Sequence, residues 1–313
     1  MPLAIDECSE NRCTICGNER SVFVREGPDL YRPKETKIFR LTQCLTCGHI
    51  MQNPPPTAEE LNKAYAIEYA PYRPSWKEPG WHLWKVLRDL TTYRRIRRLK
   101  RYGKGHHLLE VGCGAGDFLF AAHRAGWKVA AVEYSEPIVE MLRSEASFDV
   151  RSGELSPGLW EPESFDAVVL WSVLEHVQNP MEFLAIASSY LKPGGTVFLQ
   201  FPTVYGLELG KMFRQYWAIL DLPRHLNFFG RESLSKLCDQ AGMNLTVFKT
   251  PLLDIGWCYL TSCSNYANDS KSSVMKLLKL ALLAPVIALT LPYMAVQARR
   301  GRGTEAFAVA VKR

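Results

Sequence analysis

The chain has 313 residues, 47% apolar and 22% charged, which excludes a disordered chain and leaves room for one large core with a small accessory module. The net charge of +6 is concentrated between Lys85 and Lys104, where nine Lys and Arg face a single acid, Asp89, and the remainder is close to neutral. The first 20 residues carry charges and cysteines where a secretion leader would carry an apolar core, so the nine cysteines are expected in a reducing compartment, as metal ligands or buried thiols.

In chain order, residues 1–56 read as a cysteine-bearing module closed by the proline run "NPPP". It holds two Cys-x-x-Cys-Gly knuckles, "CTICG" (13–17) and "CLTCG" (44–48). Each knuckle turns two thiolates toward one point, and two knuckles make a tetrahedral site suited to structural Zn²⁺ with Cys13, Cys16, Cys44 and Cys47 as ligands. A redox pair would need only one knuckle. His49 is not required as a ligand, and Cys8, Cys113, Cys238, Cys258 and Cys263 are expected as free thiols.

Residues 57–105 read as a helical linker. It opens with the capping-box pair Thr57 and Glu60, carries Tyr65, Tyr69 and Tyr72, and continues as a basic helix over 81–102. That helix places Leu83, Leu87, Leu90, Tyr93, Ile96 and Leu99 on one apolar stripe and its arginines on the far face. A nucleic acid, a phosphorylated acceptor, an anionic membrane or plain solvent would each suit that basic face.

From 106 to 313 short apolar runs alternate with helical stretches. Strands are expected at 106–112, 127–133, 148–150, 165–171, 195–201, 243–250 and 304–313, with helices at 116–125, 136–147, 180–191 and 231–241. This is an α/β, Rossmann-like seven-stranded sheet, read as parallel, with helices on both faces. Residues 277–298 are nearly all apolar, inside an insertion at about 270–300. A single membrane span there would separate the last strand from its sheet, so interfacial helices, a shallow re-entrant hairpin or a lid over the acceptor are expected.

"EVGCGAGDF" joins the first strand to a helix, with Gly112, Gly114 and Gly116 letting the backbone pass close to a ligand. A dinucleotide fingerprint would need a small residue where Asp117 stands, and an acid there opposes a pyrophosphate. Glu133 ends the second strand, where an acid accepts from a ribose diol. A nucleoside without pyrophosphate but with a cationic group that welcomes Glu110 and Asp117 is S-adenosylmethionine (SAM).

On "LLEVGCGAGDF", "VAAVEYS", "FDAVVLWSVLEHVQNP" and "YLKPGGTVFLQFP", the region 107–250 resembles class I SAM-dependent methyltransferases. The resemblance implies that Gly112, Gly114 and Gly116 approach the cofactor. It implies further that Glu133 and the neighbouring Tyr134 flank the ribose, that a helix starting at Gly153-Glu154-Leu155 lies near the adenine, and that Trp171 lies beside the methionine part. With the N-terminal cysteine module, the chain resembles bacterial sugar and glycan-pathway methyltransferases, among them zinc-containing deoxysugar C-methyltransferases, whose further C-terminal domain has no counterpart here.

"RHLNFFGRESL" resembles that group's His-x-x-[Phe/Tyr]-Phe-[Ser/Thr] segment, in which the histidine is the base, and Gly230 replaces the hydroxyl residue. His225 is thus either the catalytic base or a satisfied loop histidine. His176 of the "EH" pair is either a second catalytic group or a helix brace, and Tyr72, with Tyr65 and Tyr69, either closes the acceptor pocket or packs in the core. The expected function is methyl transfer from SAM to O or C of a small-molecule or lipid-linked acceptor, plausibly a sugar. The expected location is the cytoplasm, with a peripheral place at the inner membrane face through 277–298 and the basic helix 81–104. The rivals are an RNA methyltransferase, disfavoured because the basic helix lacks interleaved aromatics, and a silent zinc-ribbon protein that binds SAM without turnover.

Overall fold

The computed structural model describes residues 12–32, 35–65, 81–146, 148–251, 262, 272, 285 and 288–313. Two sheets organise them. The large sheet is built from β4 (His107–Val111), β5 (Lys128–Glu133), β6 (Asp149–Ser152), β7 (Phe165–Trp171), β8 (Leu191–Pro202), β10 (Met243–Lys249) and β11 (Glu305–Lys312), in the order β10-β11-β8-β7-β4-β5-β6. The strands from β4 to β8 pair in parallel, as their continuous apolar runs require. The expectation of a wholly parallel sheet is corrected at one edge: β11 runs antiparallel to both β8 and β10 and lies between them. The chain winds from β4 out to β6 and returns at β7, which puts a topological switch point between β4 and β7, where ligands bind at the strands' carboxyl ends.

Helices α3 (Asp117–Arg124), α4 (Glu136–Glu145), α5 (Pro180–Tyr190) and α7 (Arg231–Gln240) follow their strands where the sequence puts them, and a short α6 (Val204–Leu209) follows β8. Between them the sheet's two faces bury cores that include Leu109, Val168 and Leu199 on one side and Leu108, Val169 and Phe198 on the other. The expected helix at Gly153-Glu154-Leu155 is absent. The chain bends there after β6, with Gly153 at φ +111, a conformation that no helical residue takes.

Helix α2 (Trp81–Tyr102) is present, and of the expected apolar stripe it buries Leu99 fully and Ile96 in part. Leu90 and Tyr93 are exposed, while Arg95 stacks 5.0 Å over Trp171, Arg98 4.4 Å over Phe307, and Arg88 pairs with Asp117 at 3.3 Å. Arginine is counted as polar, yet its planar head packs well on aromatic faces. A good part of the basic stripe therefore points into the fold.

The small sheet is antiparallel, ordered β1 (Ser21–Pro28), β2 (Ile38–Cys44), β3 (Ile50–Gln52) and β9 (Asn227–Phe228). Its last strand comes from the His225 loop: Ile50 faces Phe228 and Met51 faces Asn227. Helix α1 (Ala58–Ala64) follows with the expected Thr57–Glu60 capping box. The sheet's apolar side packs with Trp217, Leu222 and Phe228 and with Met294 and Ala298 of α8 (residues 288–299). Leu289, Leu291, Tyr293 and Val296 of α8 are exposed, and no helix among the described residues is long and apolar enough to cross a membrane. Residues 277–284 lie outside the described residues.

Candidate functional site

The glycine loop between β4 and α3 has Gly112, Gly114 and Gly116 at φ +67, +51 and +79. A Cβ on Gly116 would lie 2.5 Å from Leu142, whereas one on Gly114 would meet nothing within 4 Å, so the backbone at Gly114 borders open space. Glu133 fixes the loop: its carboxylate accepts from Gly114 N–H at 2.9 Å and Ser135 N–H at 3.1 Å. Each oxygen keeps a lone pair for a ligand hydroxyl.

Glu110 and Glu175 are fully buried, and each has a carboxylate oxygen, Oε2, without a hydrogen-bond partner among the described residues. Burial pushes both carboxyls well above the ordinary range. Glu133 and Asp117 push Glu110 the same way, and Arg95 opposes the shift at both. Buried acids thus outnumber the cation that faces them. A ligand carrying a sulfonium and an ammonium would supply the missing positive charge, so the donor set fits SAM. Tyr134 and Glu154 are exposed beside the ends of β5 and β6, and Trp171 is buried at the end of β7. Ser172 follows it at φ +58, a conformation costly for a residue with a side chain and concentrated at functional sites.

The second half of the site is a histidine pair. His176 lies in a short 3₁₀ turn after β7, His225 in the loop before β9, and the two rings meet edge to face at 4.8 Å. The Ile219 carbonyl accepts from His225 Nδ1 at 2.6 Å. A carbonyl can only accept, so Nδ1 carries the proton and Nε2 keeps its lone pair. The Arg224 carbonyl fixes His176 in the same tautomer at 3.0 Å, and Tyr65 Oη lies 2.8 Å from the same nitrogen. Burial holds both imidazoles below the usual histidine range, His176 at about 3, where the neighbouring His225 lowers it further. Asp221 opposes the shift at His225, 3.9 Å from Nε2. Both rings are therefore neutral at pH 7, the form a base requires. One ligand atom each of Glu175, His176 and His225 lies within 4.8 Å of the others, close enough to share a divalent cation if Glu175 ionises.

The loop that carries His225 is tied to the small sheet. Arg224, 1% exposed, forms a fork with Asp29 at 3.0 Å and also meets Asp221 at 3.2 Å. His49 Nε2 meets Asn227 Oδ1 at 3.0 Å, and Asn227 donates to the Val177 carbonyl at 2.6 Å.

In the four-cysteine cluster, Cys13 and Cys47 Sγ are 3.6 Å apart, Cys16 and Cys44 3.5 Å, and all four sulfurs lie within 4.8 Å of one another. Disulfides are thus absent within the cluster. A tetrahedron with metal–sulfur bonds of about 2.3 Å has edges of about 3.8 Å, so the four thiols fit a tetrahedral cation. The knuckles match one another: Gly17 and Gly48 both sit at φ +69 and donate to the carbonyls of Cys13 and Cys44. Cys113 and Cys238 are buried free thiols.

The structure thus brings Glu110, Gly112, Gly114, Gly116, Glu133 and Trp171 to one end of the sheet and joins His176 to His225. Tyr69 and Tyr72 lie outside the described residues, as do Cys8, Cys258 and Cys263. Sequence reasoning missed Arg95, hidden in a helix scored as basic surface, and the specific pairing of Tyr65 with His176, for which no sequence spacing gives a signal.

A glycine loop under a buried acid, at the switch point of a sheet with one reversed strand, defines a class I methyltransferase fold. The family described as "Methyltransferase domain" matches residues 85–246, just over half of the chain, and the chain belongs to that family. Among curated relatives, a ubiquinone biosynthesis O-methyltransferase of Xanthomonas campestris is 37% identical over 101 residues, which is 30% of this chain and 42% of that protein. One from Azoarcus is 29% identical over 160 residues, 45% of this chain and 65% of the relative. The chain thus spans under two thirds of the length of these relatives. A solved SAM-dependent methyltransferase from Archaeoglobus fulgidus aligns over 75% of this chain and all of its own, with 15% identity and a TM-score of 0.48.

Proposed function

We propose that this chain transfers a methyl group from SAM to a hydroxyl oxygen of a small acceptor with an apolar part, with His225 as the base. The observation that carries the reading is the fixed tautomer of His225, whose Nδ1–H is held by Ile219 and whose Nε2 lone pair is left free beside His176 and Glu175, next to the end of β7. SAM supplies the electrophilic methyl, and sulfur keeps the bonding pair as the C–S bond breaks. The protein's share is alignment and proton removal: Nε2 takes the hydroxyl proton while the oxygen attacks. Glu133 and the Gly112–Gly116 loop hold the nucleoside, Tyr134 and Glu154 border it, and Arg95 faces the cofactor's carboxylate. His176 braces the base, with the Tyr65 hydroxyl against its Nδ1.

An O-linked acceptor is supported by the curated relatives, which are O-methyltransferases of ubiquinone biosynthesis. The exposed apolar residues of α8, followed by Arg299, Arg300 and Arg302, suit a lipophilic acceptor presented at an anionic membrane surface. The inward turn of Arg88, Arg95 and Arg98 weakens the RNA reading. The N-terminal module, residues 1–56, is read as a structural Zn²⁺ ribbon, 57–105 as a helical linker with the basic helix, and 106–313 as the SAM-dependent methyltransferase domain with its apolar insertion at about 270–300.

The test is calorimetry with SAM, followed by methyl transfer from isotopically labelled SAM to alkylated catechols, polyprenyl phenols and lipid-linked deoxysugars. Labelled ether product from a hydroxylated lipophilic acceptor, abolished in His225→Ala, is expected. SAM binding without transfer to any acceptor would favour a silent binding protein.

A further inference from the structure

The His225 loop is held from outside its own domain, and most directly by one side chain. Gln52, the last residue of β3, is buried at 4% exposure. Its amide nitrogen donates to the Pro223 carbonyl at 2.8 Å and to the His225 carbonyl at 2.8 Å, and its main-chain N–H donates to the Leu226 carbonyl at 2.9 Å. A single residue of the small sheet thus satisfies three carbonyls that straddle the histidine. His225 N–H donates to the Asp221 carbonyl at 3.0 Å and Nδ1–H to Ile219, its ring lies 4.8 Å from that of His176, and the neighbouring Arg224 is forked to Asp29.

We propose that Gln52 is a positioning residue for His225, acting across the junction between the cysteine-bearing sheet and the methyltransferase fold to aim the Nε2 lone pair at the acceptor. The inference rests on the reading of His225 as the base. The physical reason is geometric. A buried carbonyl that loses its donor is left unsatisfied and must turn to find another. Two such carbonyls, one of them on His225 itself, cannot be re-satisfied without rotating the peptide that carries the imidazole. A base displaced by about 1 Å loses on the order of 10²-fold in rate. The arrangement also gives the cysteine-stapled sheet, which packs in one core with Leu109 and Leu174 of the methyltransferase fold, a role at the histidine loop. A strand of three residues would be a poor clamp unless something rigid held its far end, and the second cysteine knuckle directly precedes it in the chain.

The test uses the full-length, metal-replete protein. Gln52→Met keeps the side chain's length and removes both donors. Transfer to an alkylated catechol is expected to fall about 10–100-fold in kcat, with SAM affinity within about twofold of wild type. In a His225→Ala background the same substitution is expected to cost less than about twofold, because a residue that acts only through His225 has nothing left to position. Nitrogen NMR of the SAM-bound protein gives a readout that needs no acceptor. Wild-type His225 shows one protonated and one bare ring nitrogen, and in Gln52→Met the two resonances move toward a common value as the tautomer lock fails.

An unaltered His225 spectrum with wild-type turnover overturns the proposal. So does an equal loss in the wild-type and His225→Ala backgrounds, or a Gln52→Met protein that has lost metal and SAM binding together, since each assigns Gln52 to folding alone. A fully active His225→Ala removes the base reading instead, whereas a slow His225→Ala beside a fast Gln52→Met sinks only the role of Gln52.

Discussion

Glu133 ties down the glycine loop and is proposed to hold the ribose, and its replacement should separate the two roles. The carboxylate holds Gly114 N–H at 2.9 Å and Ser135 N–H at 3.1 Å, and is itself 4% exposed. Hydrogen bonds to a buried charged group contribute about 1.5–3 kcal/mol each. Glu133→Ala strips both from the apo protein and removes the acceptor proposed for the ribose hydroxyls. The glycine loop must then be ordered by the ligand itself, and that ordering is drawn from binding energy. A loss of about 1–3 kcal/mol in SAM affinity is expected, roughly 5- to 150-fold in Kd. Glu133→Gln keeps one acceptor oxygen and loses the charge, so it should fall between wild type and Ala. Calorimetry with SAM and with S-adenosylhomocysteine reads the affinity, and urea unfolding of the apo protein reads the loop's share. Wild-type SAM affinity in a folded Glu133→Ala protein would remove Glu133 from the cofactor site and leave it as a loop tether.

Why the glycine-loop half of the candidate site is legible in the sequence and the histidine half is not follows from how each is encoded. Gly112, Gly114 and Gly116 sit at positive φ, so the chemistry needs residues without a Cβ at a fixed spacing, and spacing is readable. Strands β4, β5 and β7 are continuous apolar runs because both faces are covered, and such runs are readable too. The place of β11 is not, since composition marks a strand but does not name its neighbours, and β11 pairs with two strands far away in the chain. Strand β9 has two residues, too few for any periodicity, yet it fuses the His225 loop to the cysteine-bearing sheet. The face of α2 was misread because hydropathy treats Arg95 and Arg98 as solvent-seeking, while their heads lie on Trp171 and Phe307. The resemblance places a helix start at Gly153, but the chain only bends there, with Gly153 at φ +111 and no helix following.

The remaining expectations concern the small sheet and the histidine pair. Cys47→Ser should lower bound zinc from about one per chain toward none by elemental analysis, since a structural site needs all four positions; full zinc retention would move the ligands elsewhere. Asp29→Ala removes the closer carboxylate from the buried Arg224 guanidinium and leaves Asp221 with the Ala64 and Leu222 carbonyls, so urea unfolding should show a loss of about 3–5 kcal/mol, nearer the lower figure because those partners remain; a loss under about 1 kcal/mol would show the pair is dispensable. Turnover should hold level around neutral pH and fall only as pH drops through a pKa below the ordinary 6.5, because burial depresses His225 and only its neutral form takes a proton; a rate that is already halved at pH 6.5 or above would contradict a buried, neutral His225 as the base. His176 carries the matching stability effect. Its folded pKa of about 3 lies below the ordinary 6.5, so between those values the unfolded chain binds the proton that the folded one refuses, and stability falls as pH falls. From pH 6.5 to pH 5 this amounts to about 2 kcal/mol at 1.36 kcal/mol per unit. Unfolding by urea at pH 7 and pH 5 should therefore show an acid loss that shrinks by about that much in His176→Gln, which cannot be protonated. Buried Glu110 and Glu175, with raised pKa values, act in the opposite direction and are common to both proteins, so they cancel in the comparison. An identical pH dependence in the two proteins would mean that His176 is solvated and charged in the folded state, and the neutral, edge-to-face histidine pair would fall with it.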